Sequence, residues 1–143
     1  SSAASDVYKR QNQYNPIVVD TSGNLWIGTT NGLNYYRKDK DFFTRFMSLD
    51  YYQHSISSNH INTLLIKDNN LYVGTSQGLD KINIGDLSII NRLAGTSWMS
   101  MLGTYTVKQL LDFGPNPTMN GFWMATTQEL SLSNGSVCRW WCI

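Results

Sequence analysis

Three aspartates offer carboxylates that could serve acid–base chemistry, and each of them ends a short apolar run. Asp20 ends IVVD, Asp68 ends LLIKD and Asp112 ends VKQLLD. An aspartate at the start of a tight turn commonly accepts hydrogen bonds from the backbone N–H groups that follow it. Because the arrangement recurs along the chain, we interpret these aspartates as structural turn residues, not as catalytic acids.

Histidines and thiols are too sparse to predict a metal site or a nucleophile. His54 and His60 flank SISSN without a cysteine or carboxylate cluster, which favours solvated loop histidines. Cys138 and Cys142 are four residues apart, about 13 Å on a strand that rises roughly 3.3 Å per residue, too far for a disulfide without a bend. With no convergent acid and base pair either, we expect two ordinary thiols, no metal, no cofactor and no catalysis by this chain.

A nine-residue phrase occurs twice and sets the organisation of the chain. LWIGTTNGL at residues 25–33 returns as LYVGTSQGL at residues 71–79, a period of 46 residues. A weaker third copy, FWMATTQEL, covers residues 122–130 after a loop-like insertion, FGPNPTMN. Repetition at such a period indicates an array of similar structural units.

Each unit is predicted to contain four strands. The apolar run and the phrase are separated by turn residues, TSGN in the first copy and NN in the second, so they form a hairpin that is apolar on both faces. After Gly-Leu the polarity rises, at residues 34–46 and 80–93, which predicts two wetter outer strands. Four strands whose solvent exposure increases from the first to the last are typical of a β-propeller blade.

Small residues at fixed places in the phrase support stacked blades. Gly28, Gly74 and Ala125 would let neighbouring sheets approach closely, although a bulge is the alternative explanation. Gly32 and Gly78 lie where the second strand turns into the third and are predicted to have positive φ, whereas the third copy has Glu129 there. The aromatic positions of the three copies are expected to pack between blades, and they are Trp26, Tyr72 and Trp123.

The phrases resemble the two-component regulator propeller repeat, whose pattern is D-x-x-G-N-L-W-I-G-T-x-x-G-L. DTSGNLWIGTTNGLNYY at residues 20–36 carries the resemblance, and SSNHINTLLIKD at residues 57–68 fits the Asn-x-Ile opening of the family. The resemblance implies a periplasmic sensor of a hybrid histidine kinase that is anchored in the inner membrane. It also implies oligosaccharide ligands from polysaccharide breakdown and a homodimer in the parent protein, with the kinase domains absent here.

We therefore predict an all-β fragment of a larger propeller, with seven blades the expected total. Residues 1–13 are set aside as a non-native or disordered segment, and the partial propeller covers residues 14–143. Its blades are expected at about 14–48, 57–94 and 104–143, the last closed by a hairpin at Asn134-Gly135. An open arc exposes two apolar blade faces that the remaining blades of the parent would cover, so the chain alone should associate.

Composition excludes two classes of partner. The 143 residues have a formal net charge of +1, without the strongly basic face expected of a nucleic-acid-binding protein. The apolar runs are a few residues long, far short of the roughly 20 that a membrane helix needs. We expect neither nucleic-acid binding nor a membrane segment in this chain.

The best ligand-binding candidates are residues that vary while the repeat around them stays fixed. The loop between strands two and three and the loop between blades open on one face of a propeller. Hydroxyls, amides and aromatic rings there would suit a carbohydrate, although they could simply be solvated turns. A protein-interaction propeller, and a lyase or glycosidase on the same scaffold, are the alternative functions. The predicted ligand-binding residues are Thr30, Asn31, Ser76, Gln77, Thr127, Gln128, Tyr51 and Tyr52.

Overall fold

Antiparallel sheets make up the described part of the chain. The computed structural model describes residues 15–49, 54–91, 105–112, 121–126, 130–133 and 138–140, the last two ranges for their backbone only. These residues contain twelve strands in three four-stranded sheets, each ordered as the chain runs. Within these ranges no helix is long and apolar enough to cross a membrane.

The three sheets follow one another along the sequence, and each corresponds to one predicted blade. Blade one contains β1 (Ile17–Val19), β2 (Leu25–Thr29), β3 (Gly32–Arg37) and β4 (Phe42–Phe46). Blade two contains β5 (Ile61–Lys67), β6 (Asn70–Thr75), β7 (Gly78–Asn83) and β8 (Ile89–Ile90). Blade three contains β9 (Val107–Asp112), β10 (Phe122–Thr126), β11 (Leu130–Ser133) and β12 (Cys138–Trp140).

The recurring phrase forms the second strand and the beginning of the third in blades one and two. A threonine locks the turn between them: the Thr29 hydroxyl donates to the Gly32 carbonyl at 2.8 Å and accepts from the Asn31 N–H at 2.9 Å. Thr75 makes the same bond to Gly78 at 2.8 Å. Gly32 and Gly78 have φ of 104° and 121°, which confirms the predicted need for glycine.

Asp20 and Asp68 both lie in turns, as interpreted from the sequence, although the two turns differ. Asp20 does accept from the backbone N–H groups of Ser22 and Asn24, both at 3.0 Å, as a turn residue should. Asp68 instead forms a two-residue turn with Asn69, with φ of 51° and 59°, the positive values of a type I′ hairpin. That turn begins one residue before the predicted NN pair. Asp112 is the last residue of β9, and the residues that follow it, 113–120, lie outside the described part of the chain.

Blades one and two pack face to face around an aromatic cluster. The Trp26 ring stacks on Tyr35 with ring centres 4.0 Å apart, and both side chains are buried against blade two. Gly28 allows this approach, because a Cβ there would lie 2.5 Å from Ile61 Cγ2. The predicted role of this glycine is therefore confirmed. The core residues that blade two and its incoming segment contribute are Ile56, Ile61, Leu64, Leu71, Val73, Ile82 and Ile89.

Blades two and three repeat this packing with different side chains. Tyr72 lies at the position of Trp26 and contacts the Phe122 ring at 4.5 Å between ring centres. Gly74 lies beneath Val107, whose Cγ1 would be 2.6 Å from a Cβ at residue 74. The recurring aromatic and glycine positions thus pack between blades, as predicted for the first two copies.

Ile17 and Val19 in β1 are exposed, as expected of an open arc, because one face of blade one has no described neighbour. Burial departs from the predicted grading at Asp80, which is fully buried although it lies in the third strand of blade two. In blade three, β11 and β12 pair with Ser133 opposite Cys138, which confirms a hairpin. Cys142, Glu129 and the Asn134-Gly135 turn lie outside the described residues.

Candidate ligand site at the connection end

In blades one and two, the turn between the second and third strands lies beside the segment that leads into β5. In blade one the Gly32 N–H donates to the Asn59 carbonyl at 2.7 Å, and in blade two the Ser76 N–H donates to the His60 carbonyl at 3.1 Å. These contacts bring turns and blade-to-blade segments to one end of the sheets. We call this the connection end, formed by residues 30–31, 54–60, 76–77 and 105–106.

Ser76 links the connection end of blade two to blade three. Its carbonyl accepts from the Thr106 hydroxyl at 3.0 Å, and its own hydroxyl accepts from Asn62 Nδ2 at 3.4 Å. The same Asn62 amide donates to the Val107 carbonyl at 2.9 Å. The turn of one blade is thereby fixed to the first residues of the next, which makes this end a preorganised surface.

Four of the predicted ligand-binding residues lie on this surface. Thr30, Asn31 and Gln77 are exposed, and Ser76 is half-buried. They contribute hydroxyl and amide groups, which can both donate and accept hydrogen bonds. The other four predicted residues lie outside the described part of the chain, and they are Tyr51, Tyr52, Thr127 and Gln128.

The connection end is polar without being strongly charged. His54 and His60 are exposed there, as expected for loop histidines. Within the described ranges no group of three or more His, Cys, Asp and Glu side chains could hold a metal ion. Such a surface matches neutral hydroxylated ligands better than ions, because amides and hydroxyls supply directional bonds without net charge.

A buried carboxylate that the sequence interpretation missed fixes the segment between blades one and two. Asp80 is 0% exposed and accepts from the backbone N–H of Ser57 at 2.7 Å and from its hydroxyl at 2.5 Å. Paired hydrogen bonds of this kind offset the desolvation of a buried charge. The only sequence signal is the substitution of Asp80 for Asn34 after the same Gly-Leu pair.

Two further hydrogen bonds hold the same segment against the end of blade one. Asn59 Oδ1 accepts from the Ser48 N–H at 2.7 Å, and the Ser55 hydroxyl accepts from the Leu49 N–H at 3.1 Å. Ser55 and Ser57 are both buried, so the SISSN stretch is an ordered bridge, not a solvated loop. Its flanking histidines face solvent, and Asn59 is half-buried.

Comparisons with known proteins agree with this architecture. The family model described as "Two component regulator propeller" matches residues 9–31, which include the first copy of the phrase up to Asn31. No curated protein matches the chain significantly. The resemblance to this repeat is confirmed in blade one, and the match includes residues 9–13 of the segment predicted to be non-native or disordered.

Solved structures extend the likeness over most of the chain. An extracellular domain assigned to a hybrid two component system of B. thetaiotaomicron is 17% identical, with a TM-score of 0.71 over 90% of this chain and 18% of its own. A second such domain from B. thetaiotaomicron is 22% identical, with a TM-score of 0.67 over 87% of this chain and 16% of its own. The chain is thus a partial β-propeller that spans less than a fifth of the structures it matches.

Proposed function

We propose that this chain is part of the extracytoplasmic ligand-sensing propeller of a hybrid two-component sensor. The observation that carries the proposal is the match to the two component regulator propeller model at residues 9–31, in a chain whose three sheets pack as successive blades. The solved domains with this fold are extracellular domains of such systems, which supports the same role and a location outside the cytoplasm.

We further propose that the connection end binds an oligosaccharide released from a polysaccharide. The exposed hydroxyl and amide groups of Thr30, Asn31 and Gln77 suit the alternating donors and acceptors of a sugar. The Thr29 and Thr75 hydroxyls hold the backbone of the two turns through hydrogen bonds to Gly32 and Gly78, so the groups are positioned before the ligand arrives. Tyr51, Tyr52, Thr127 and Gln128 are proposed to complete the site.

The remaining proposals concern the parent protein. Its other blades would complete a propeller of seven, and blade boundaries at about 14–48, 57–94 and 104–143 would include the segments that flank the strands. We place this propeller in the periplasm, with the parent protein anchored in the inner membrane and acting as a homodimer. Binding would act by favouring one of two conformations, and this chain would carry out no catalysis.

Nuclear magnetic resonance with a library of oligosaccharides tests the binding proposal. A ligand should shift the backbone amide signals of residues 30, 31, 76 and 77 in a saturable manner. Asn31→Ala combined with Gln77→Ala should weaken binding about tenfold or more, since each lost hydrogen bond costs about 0.5–1.5 kcal/mol. Thr21→Ala is the control, because Thr21 is equally exposed but lies in the β1–β2 turn at the opposite end of blade one.

Three results would contradict the proposal. No saturable shift with any oligosaccharide would remove the ligand class. Shifts confined to the opposite turns, at residues 21–24 and 38–41, would move the site to the other end of the sheets. Shortened glycans in the same samples, detected by mass spectrometry, would show an enzyme instead of a sensor.

A further inference from the structure

Asn62 is the extra residue of a β-bulge at the connection end of β5. Ile61 pairs with Thr75 and Thr63 pairs with Gly74, so Asn62 has no residue opposite it on β6. A bulge bends its strand and redirects the side chain of the extra residue, and bulges are frequent beside functional sites. The Asn62 side chain is half-buried, and it lies beside the turn at residues 76–77 that belongs to the candidate ligand site.

The bulge recurs in blade three, but with a different residue in it. Thr126 pairs with Val107 and Ala125 pairs with Gln109, which leaves Lys108 as the extra residue of β9. The bulge is therefore a fixed feature of both inner strands, whereas its side chain differs between the two blades. This combination is the one expected of a position that serves the site and not the repeat.

The Asn62 amide group donates in two directions. Its Nδ2 donates to the Val107 carbonyl of blade three at 2.9 Å and to the Ser76 hydroxyl at 3.4 Å. Because a carbonyl oxygen can only accept, the bond to Val107 defines which end of the amide faces blade three. One side chain thereby joins the turn at residues 76–77 to the first residue of β9.

A second hydrogen bond joins the same turn to blade three. The Thr106 hydroxyl donates to the Ser76 carbonyl at 3.0 Å, one residue before β9 begins. Within blade two the turn is held by its own amides, since the Ser76 N–H donates to the His60 carbonyl and the Gln77 N–H donates to the Thr75 hydroxyl, both at 3.1 Å. Ser76 is thus the junction between the ligand site and the contact of two blades.

The tight approach of blades two and three lies next to this junction. Gly74 pairs with Thr63, the residue after Asn62, and a Cβ at residue 74 would lie 2.6 Å from Val107 Cγ1. Val107 therefore meets blade two through its side chain, over Gly74, and through its carbonyl, at Asn62. A displacement of Val107 away from blade two pulls on the Asn62 amide, which in turn contacts Ser76.

We propose that Asn62 is a positioning residue of the ligand site, which couples the order of the turn at residues 76–77 to the packing of blade three on blade two. Two coupled equilibria change each other by the same free energy. A ligand that favours the ordered turn therefore tightens the contact between the blades, and a loosened contact weakens binding of the ligand. The binding of a ligand rests on the proposed function, whereas the coupling rests on the hydrogen bonds of Asn62 and Thr106 and is measurable without a ligand.

Amide hydrogen exchange of the ligand-free chain, measured by nuclear magnetic resonance, tests the coupling. The quantity is the exchange rate of the amides of residues 76 and 77 divided by that of the amides of residues 31 and 32, which make the corresponding hydrogen bonds in blade one. Gly74→Ala displaces blade three and should raise this ratio about threefold or more, the size expected for one weakened hydrogen bond. In a chain that also carries Asn62→Leu and Thr106→Val, Gly74→Ala should leave the ratio unchanged, because both links from the turn to blade three are already absent.

The matched control is Thr106→Ser in place of Thr106→Val, because it keeps the hydroxyl and should restore part of the response to Gly74→Ala. An equal response in both backgrounds would overturn the proposal, since independent structural contributions of these residues are additive. An unchanged ratio in Gly74→Ala alone would overturn it as well.

Circular dichroism checks the fold of every variant. Val107→Ala, which weakens the same contact, replaces Gly74→Ala if that variant fails to fold, and Asn62→Ser replaces Asn62→Leu. Because the exchange measurement uses no ligand, its failure contradicts the coupling alone, whereas a lack of oligosaccharide binding contradicts the proposed function alone.

Discussion

The contact between blades one and two and the contact between blades two and three are built on the same scheme but secured differently. In both, a glycine lies beneath a β-branched residue at the start of the next inner strand, Gly28 under Ile61 and Gly74 under Val107. At the first contact the buried Asp80 carboxylate fixes the incoming segment. At the second, Lys67 and Asp112 form an ion pair at 2.6 Å, with 14% and 38% of their side chains exposed.

This difference separates residues that define the repeat from residues that stabilise one place in it. The glycines and the aromatic residues recur because every pair of blades must approach to the same distance. The corresponding position in the third copy is Ser131, which carries no carboxylate, so the contribution of Asp80 is particular to blade two. A buried network is strongly destabilised when one partner is removed, whereas an exposed ion pair contributes little.

Asp80→Ala should have the largest effect. It leaves the buried Ser57 N–H and hydroxyl without the carboxylate that accepts from them, and each buried donor that loses its acceptor costs about 1–3 kcal/mol. Urea unfolding should show the lower free energy of unfolding. Asp80→Asn keeps one carbonyl oxygen as an acceptor and should cost clearly less. Equal losses in both variants would mean that packing, and not hydrogen bonding, holds the segment.

Gly74→Ala should rank second and tests the feature that the two contacts share. The added Cβ would lie 2.6 Å from Val107 Cγ1 and would also contact Thr63, so blade three must move away. Overpacking of this kind costs about 1–3 kcal/mol. Thermal unfolding should show a lower melting temperature.

The matched control for Gly74→Ala comes from the third copy of the phrase, where alanine is the natural residue. Ala125→Gly makes the opposite change on a face against which no described blade packs, and a glycine within a strand costs roughly 0.5–1 kcal/mol through backbone entropy. A loss for Gly74→Ala no larger than this would show that the blades can separate without penalty.

The residues that both blade contacts share were predictable from the sequence, whereas the residues that occur at only one contact were not. Gly28, Gly74, Trp26 and Tyr72 recur at a fixed period, so their common duty follows from repetition. The burial of Asp80 depends on a partner 23 residues earlier in the chain, and no local pattern reports such a pairing. The exposure of Ile17 and Val19 agrees with the predicted open arc, because burial in a blade depends on which blade lies alongside.

The same distinction between local and long-range features applies to the candidate site. The turn residues Thr30, Asn31, Ser76 and Gln77 were located from their place in the phrase, since the turn geometry is local. The links from Asn62 and Thr106 to Ser76 cross between sequence-distant segments and were missed. Asp20 and Asp68 both lie in turns as interpreted, but they are held differently because the turn of the second copy is shorter.

Lys67→Met should lower stability by only about 0.5 kcal/mol, since the ion pair at the second contact is partly solvated. The effect should shrink further in 0.5 M salt, where screening weakens the pair. Urea unfolding at low and high salt measures both values. A loss approaching that of Asp80→Ala would remove the proposed contrast between the two contacts.

Ionisation of Tyr35, at the first contact, should change stability only under alkaline conditions. At neutral pH it therefore has the smallest of the predicted effects on stability. Burial raises the pKa of its phenol above the ordinary 10.0, and the nearby Asp20 carboxylate raises it further. The folded state therefore retains the proton more tightly than the unfolded state does. This stabilisation is complete below pH 10 and is lost as the pH rises through the folded-state pKa.

Comparison with Tyr35→Phe isolates this contribution. The variant loses the hydrogen bond that Asn24 Nδ2 donates to the Tyr35 hydroxyl at 3.1 Å, so it should be less stable at neutral pH by an amount that does not vary with pH there. Urea unfolding between pH 8 and pH 11 should then show a shallower alkaline decline in the variant than in the unmodified chain. Parallel declines in the two proteins would show that the stacked Trp26 and Tyr35 rings do not shield the phenol, and that the first contact admits water where the structure packs it closed.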